Sequence, residues 1–179
     1  MQAGRMGSPF WDFSIAVYST EGVQDECLTL QDRFGLDVNL VLLCAYLGAA
    51  HRVALAEGDV VSARQEVGPW QEQIVRPLRA ARQTLKTVAL QNADAADAAA
   101  QLRTQVKTAE LESERIEQMM LERWAEARLA AWPREQVREA VAANLQILLA
   151  VCGIGGERLV AAQAAPHLIA AALNRVVDK

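Results

Sequence analysis

The sequence is poor in the side chains that usually carry chemistry. Among its 179 residues are two histidines and three cysteines. Cys27, Cys44 and Cys152 are far apart, odd in number and without a C-x-x-C pair. Each sits in apolar surroundings, where a reduced thiol acts as a small hydrophobe, so the expected location is the cytoplasm. No basic surplus is present: the formal net charge is −4, against the cationic balance of a nucleic-acid protein. No apolar run is long enough to span a bilayer, since the best, Val38–Ala50, is interrupted by Asn39. The opening "MQAGRMGSPF" has no apolar core of a secretory signal and reads as a disordered start over residues 1–7, with Met6 a second candidate initiator.

Strand-like alternation is also missing, and helical periodicity fills the chain. Hydrophobic residues make up 52% of it, enough for a sizeable core. Ser8-Pro9 offers an N-cap followed by proline at the first helical position. Gly22 breaks that helix. A second carries Val23, Cys27, Leu30 and Phe34 on one stripe and is capped by Gly35. Asp37 starts a third, apolar on all sides, as expected of a buried central helix.

"GDVV" opens a polar helix that Gly68-Pro69 is expected to end. The next carries Trp70, Ile74, Leu78, Ala81, Leu85 and Val88 on one seam, with a kink or break expected near 73–77 because Pro77 lacks an N–H. A long helix over about 94–129 follows, with a weak seam of Leu102, Val106, Ala109, Ser113, Ile116 and Met120. The two seams suit an antiparallel hairpin, or the second pairs with another subunit. Trp132-Pro133, an amphipathic helix ended by "GIGG", and a last helix at Pro166 complete the chain. The fold class is all-α: seven or eight helices in an irregular bundle, with residues 8–130 as the main domain. Residues 131–179 form a helical pair on the same core or on a second subunit.

The segments "FWDFS", "LQDRFGLDVNLVLL", "PWQEQIVRPLRAARQTLK" and "ELESERIEQ" together resemble an uncharacterised bacterial family of small helical proteins, from about Phe10 to Leu121. The resemblance implies a soluble, all-α cytoplasmic protein and carries over no catalytic residue.

Candidate sites are few. Trp11, Asp12, Asp32, Arg33, Asp37, Asn39 and Tyr46 would make a ligand pocket if the early helices brought them together. The polar residues of the 32–39 stretch also have local roles. Asp32 and Arg33 finish a helix, Asp37 caps the next, and Asn39 bonds nearby backbone. That local account is preferred. Arg76, Arg79, Arg82 and Lys86 form a basic row that either grips an acidic partner or is a solvated face. Glu110, Glu114 and Glu117 share a helix face with Arg103 and Lys107. Neither His51 nor His167 follows the Glu-x-x spacing of a di-iron bundle, so no metal site is expected. Asp94 and Asp97 read as helix N-terminal charges.

No catalytic constellation, phosphate loop or cofactor motif is found. The leading expectation is therefore a non-enzymatic interaction or adaptor module, using the basic row as partner contacts. Leu102, Val106, Ile116 and Met120 would be packing or dimer contacts. The alternative is a small-molecule binder or enzyme with an apolar pocket among the N-terminal helices. A membrane-surface adaptor using the basic face is a third, less favoured reading.

Overall fold

The computed structural model describes residues 8–154 and 165–175. Helix α1, Pro9–Tyr18, starts where the Ser8 hydroxyl accepts the Trp11 N–H at 2.9 Å. Helix α2, Val23–Phe34, ends at Gly35, whose φ of +66° turns its N–H back onto the Gln31 and Leu30 carbonyls. The Asp37 carboxylate accepts the Asn39 N–H at 2.9 Å and opens α3, Val38–His51. Every residue from Asn39 to Ala49 is buried, so the central helix lies where the sequence puts it.

The stretch after α3 corrects one expectation. Helix α4, Glu57–Trp70, runs through Gly68-Pro69 and passes without interruption into a π-helical turn, Gln71–Val75, and then α5, Arg76–Thr87. Pro69 deprives the Gln65 carbonyl of its partner, but both residues are exposed, so water can take the bond. Before Pro77 the helix widens instead of breaking, and the Arg76 N–H reaches Gln71 O five residues back.

Helix α6, Ala93–Glu126, begins where the Asn92 side chain accepts the Ala95 N–H at 3.0 Å, and it stops three residues short of the expected end. Helix α7 spans Val137–Val151 and α8 spans Pro166–Asn174. The expected frayed start at 1–7 and the body of the "GIGGE" turn lie outside the described residues.

The chain divides into two compact units. The first contains residues up to Glu66 together with those from Gln118 onward. In it, α7 packs most extensively on α3, and α8 touches α1, α2, α3 and α7. Gly48 permits the close crossing: a Cβ there would come within 2.6 Å of the Val141 backbone nitrogen. Phe10, Leu43, Leu47, Leu121, Leu148 and Leu168 are fully buried in this unit. Glu26 of α2 accepts the His167 and Leu168 N–H groups, each at 2.9 Å, and so caps α8.

The second unit, Val67–Glu117, is an antiparallel hairpin. Its pairings run backward along the sequence. The Trp70 indole donates to Ser113 O at 3.0 Å, Arg79 bonds Glu110 at 3.2 Å and Glu114 at 2.8 Å, and Arg82 bonds Glu110. The expected seam is rotated. Glu110, Ser113 and Glu117 are buried, whereas Leu102 is 48% exposed and Ala109 is exposed. Carboxylates face inward because the opposite helix supplies guanidinium donors for them.

Candidate functional site

A groove of about 740 Å³ opens in the first unit beside Tyr46. Its walls come from α1, the C-terminal half of α3, the end of α6 and Arg175. Apolar lining is supplied by Phe13, Ala16, Leu47, Ala50, Ala125 and Leu129, and polar groups by Asp12, His51, Glu122 and Glu126.

Tyr46 is fixed from several sides. Phe10 stacks on it at 5.1 Å between centroids, Phe13 leans against it at 5.3 Å, and His51 meets it edge-on at 5.0 Å. Its hydroxyl shares a 3.1 Å hydrogen bond with His51 Nε2, one turn along the same helix. Burial, reinforced by Glu122 and Glu126, pushes the phenol up to about 12, so it stays protonated. Glu122 is anchored by the Phe10 N–H at 2.9 Å, and Arg175 donates to Ala16 O at 3.2 Å. Three carboxylates against one guanidinium leave the groove with two net negative charges when His51 is neutral.

A family model described as "Protein of unknown function (DUF2390)" matches residues 9–121, more than half of the chain. The chain belongs to the DUF2390 family. Neither the curated proteins nor the solved structures gave a match to it.

The DUF2390 segment contributes Asp12, Tyr46 and His51 to the groove and ends one residue before Glu122. Of the residues singled out in the sequence as ligand contacts, only Asp12 and Tyr46 meet there. Trp11 is half-buried on α1 but does not line the groove. Asp37 caps the far end of α3, nine residues and about 13 Å along the helix from Tyr46. Asp32 is exposed, with the Gln31 amide 3.4 Å away, and Arg33 lies 5.5 Å from the Phe34 ring. Asn39 is buried and accepts the Gln118 amide at 2.9 Å, a partner distant in sequence instead of nearby backbone.

Arg79 and Arg82 of the basic row are turned onto Glu110 and Glu114, while Arg76 and Lys86 are exposed. Glu110 thus leaves the mixed-charge surface expected with Arg103 and Lys107. Val106, Ile116 and Met120 are half-buried.

His51, Glu122 and Glu126 complete the groove and had no strong signal in the sequence. The spacing of four between the two glutamates puts them on one face of α6, and that is the sole local hint. Among the described residues no group of three or more His, Cys, Asp or Glu side chains is placed to hold a metal ion. Burial, reinforced by Glu26 at Cys27 and by Cys152 at Cys44, pushes both thiols up to about 12, which leaves them poor nucleophiles.

Proposed function

We propose that this DUF2390 protein acts by binding, and that the groove beside Tyr46 is its receiving site. One observation carries the reading: a groove of about 740 Å³ has an aromatic and aliphatic wall with a few fixed polar groups converging on it. That size and lining are typical of small-molecule sites. Supporting it, the Tyr46 ring is packed by three other rings and its phenol is kept neutral. The cytoplasmic location belongs to the same proposal, supported by three free cysteines of which two are fully buried.

The test fills the groove. Ala50 lines it from an exposed position on the last turn of α3, so Ala50→Trp places a large ring there without entering the core. In a thermal-shift screen with cationic, neutral and anionic compounds, ligands that raise the Tm of the wild type are expected to leave A50W unmoved. Hits that stabilise both proteins equally would rule out the groove as the receiving site.

A second reading, a protein-contact module, is favoured by exposed apolar residues around the α5–α6 turn. Val88, Leu90 and Leu102 are 47%, 43% and 48% exposed. The basic row gives this reading less support, because Arg79 and Arg82 already have carboxylate partners within the chain. Light scattering of the wild type and Leu102→Glu tests self-association: a concentration-dependent dimer lost in L102E supports it, and a monomer in both excludes it.

A further inference from the structure

We infer that the groove selects a small organic cation, one with an apolar body and a protonated amine or quaternary ammonium. This inference rests on the groove being the receiving site and names the class of ligand it receives.

Negative charge converges on an apolar wall in this groove. The titratable groups facing the groove are Asp12, Tyr46, His51, Glu122, Glu126 and Arg175. Arg175 is directed onto the Ala16 carbonyl at 3.2 Å. His51 is engaged with the Tyr46 hydroxyl at 3.1 Å. Glu122 faces the α1 N-terminus through the Phe10 N–H at 2.9 Å, which offsets part of its charge. Asp12 and Glu126, both exposed at the groove, carry the remaining negative charge to its mouth. The negative field reaches the interior as well, since Glu122 and Glu126 both act on the Tyr46 phenol.

Three ligand classes fit less well. An anion would meet a net repulsion. A neutral apolar ligand would displace water from carboxylates without replacing its hydrogen bonds. A bare metal ion needs several oxygen ligands at close range, and no such group exists among the described residues. An organic ammonium satisfies both halves of the groove. Its apolar body lies along Leu47, Ala125 and Leu129, and its charge faces Asp12 and Glu126, with the Phe13 ring adding a cation–π attraction.

The experiment uses the full chain and three compounds with one apolar cage: 1-adamantylamine, 1-adamantanol and 1-adamantanecarboxylate. Calorimetric titration at low salt is expected to give the amine an affinity at least about tenfold above the alcohol, and the acid weaker than either. Asp12→Asn and Glu126→Gln are each expected to weaken the amine about threefold or more while leaving the alcohol unchanged. Asp25→Asn, which removes an exposed carboxylate outside the groove lining, is expected to change nothing. Raising salt from about 20 to about 500 mM is expected to weaken the amine selectively.

If amine and alcohol bind equally and A50W abolishes both, the groove is the receiving site and the inferred charge selection is wrong. An amine affinity indifferent to both D12N and E126Q would overturn it likewise. If none of the three compounds binds the wild type, or A50W binds them as the wild type does, both the inference and the groove reading fail.

Discussion

Asn144 is fully buried on α7, and its amide serves three backbone groups, two of them, at Val53 and Leu55, beyond the end of α3. Its Nδ2 donates to Cys44 O at 3.2 Å and Val53 O at 2.9 Å, and its Oδ1 accepts the Leu55 N–H at 2.8 Å. These bonds fix the exit from α3, where Arg52 takes a left-handed φ of +58°. Asn144→Ala leaves buried groups unpaired and is expected to cost about 2–4 kcal/mol. Urea unfolding measures it, and a change under about 0.5 kcal/mol, the noise of a surface substitution, would show that water replaces the amide. Tyr46 makes a second prediction at this scale, in alkali. Its folded pKa near 12 lies above the unfolded value of 10.0, so the folded state keeps a proton that the unfolded state gives up. The associated stability is complete below pH 10 and disappears as pH rises toward 12. Tyr46→Phe lacks this dependence, so between pH 10 and 12 the wild type is expected to lose about 2 kcal/mol more than Y46F. Parallel losses in the two proteins would mean that the phenol is hydrated at neutral pH.

The hairpin formed by α5 and α6 depends on charge at its middle. Burial works against the Glu110 carboxylate, but hydrogen bonds from Arg82 and Arg79, with their charges, outweigh it and hold the carboxyl below its usual value of 4.5. Its contribution is therefore present above pH 4.5 and lost as pH falls through the lower folded value. Glu110→Gln is expected to cost about 1–2 kcal/mol at neutral pH and progressively less below about pH 4.5. Hydrogen exchange over residues 76–86 reads it, and a penalty unchanged in acid, at about pH 3, would mean that shape, not charge, holds the pair. The two helices of this hairpin were legible in the sequence because hydrophobic periodicity acts locally. The face on which they meet was not. The apolar seam through Leu102 and Ala109 is a weak signal, and the inward carboxylates become favourable only when Arg79 and Arg82 lie opposite. Proline misled outright at Pro69, and at Pro77 only in the form of the irregularity, for a related reason. At Pro69 the cost is met by solvent on an exposed face, and at Pro77 by a π turn, neither of which a local reading of proline supplies.

The groove unites Asp12, the Tyr46–His51 pair, the Glu122–Glu126 pair and Arg175, groups separated by up to 163 residues and joined only by tertiary packing. That distance is why the sequence yielded Asp12 and Tyr46 as members but also offered Asp32 and Arg33, which contact sequence neighbours at the end of α2, and Asp37, which caps α3. The same dependence bears on how much of the chain makes a folding unit. The DUF2390 match stops at residue 121, before α7 and α8. Yet α3 is apolar all round and must be covered on every side. Val141 of α7 closes over Gly48, Asn144 ties down the end of α3, and Leu168 of α8 is fully buried. A fragment of residues 8–130 exposes that side of α3 to water. It is expected to retain much of its far-UV helical signal but to bind a hydrophobic dye and unfold without a cooperative transition. Adding residues 131–179 as a separate chain is expected to restore a sigmoidal melt, since the missing contribution is coverage of a preformed helix. A fragment that melts cooperatively on its own would show that α1, α2 and α6 suffice to cover α3, and that the matched segment is the independent domain.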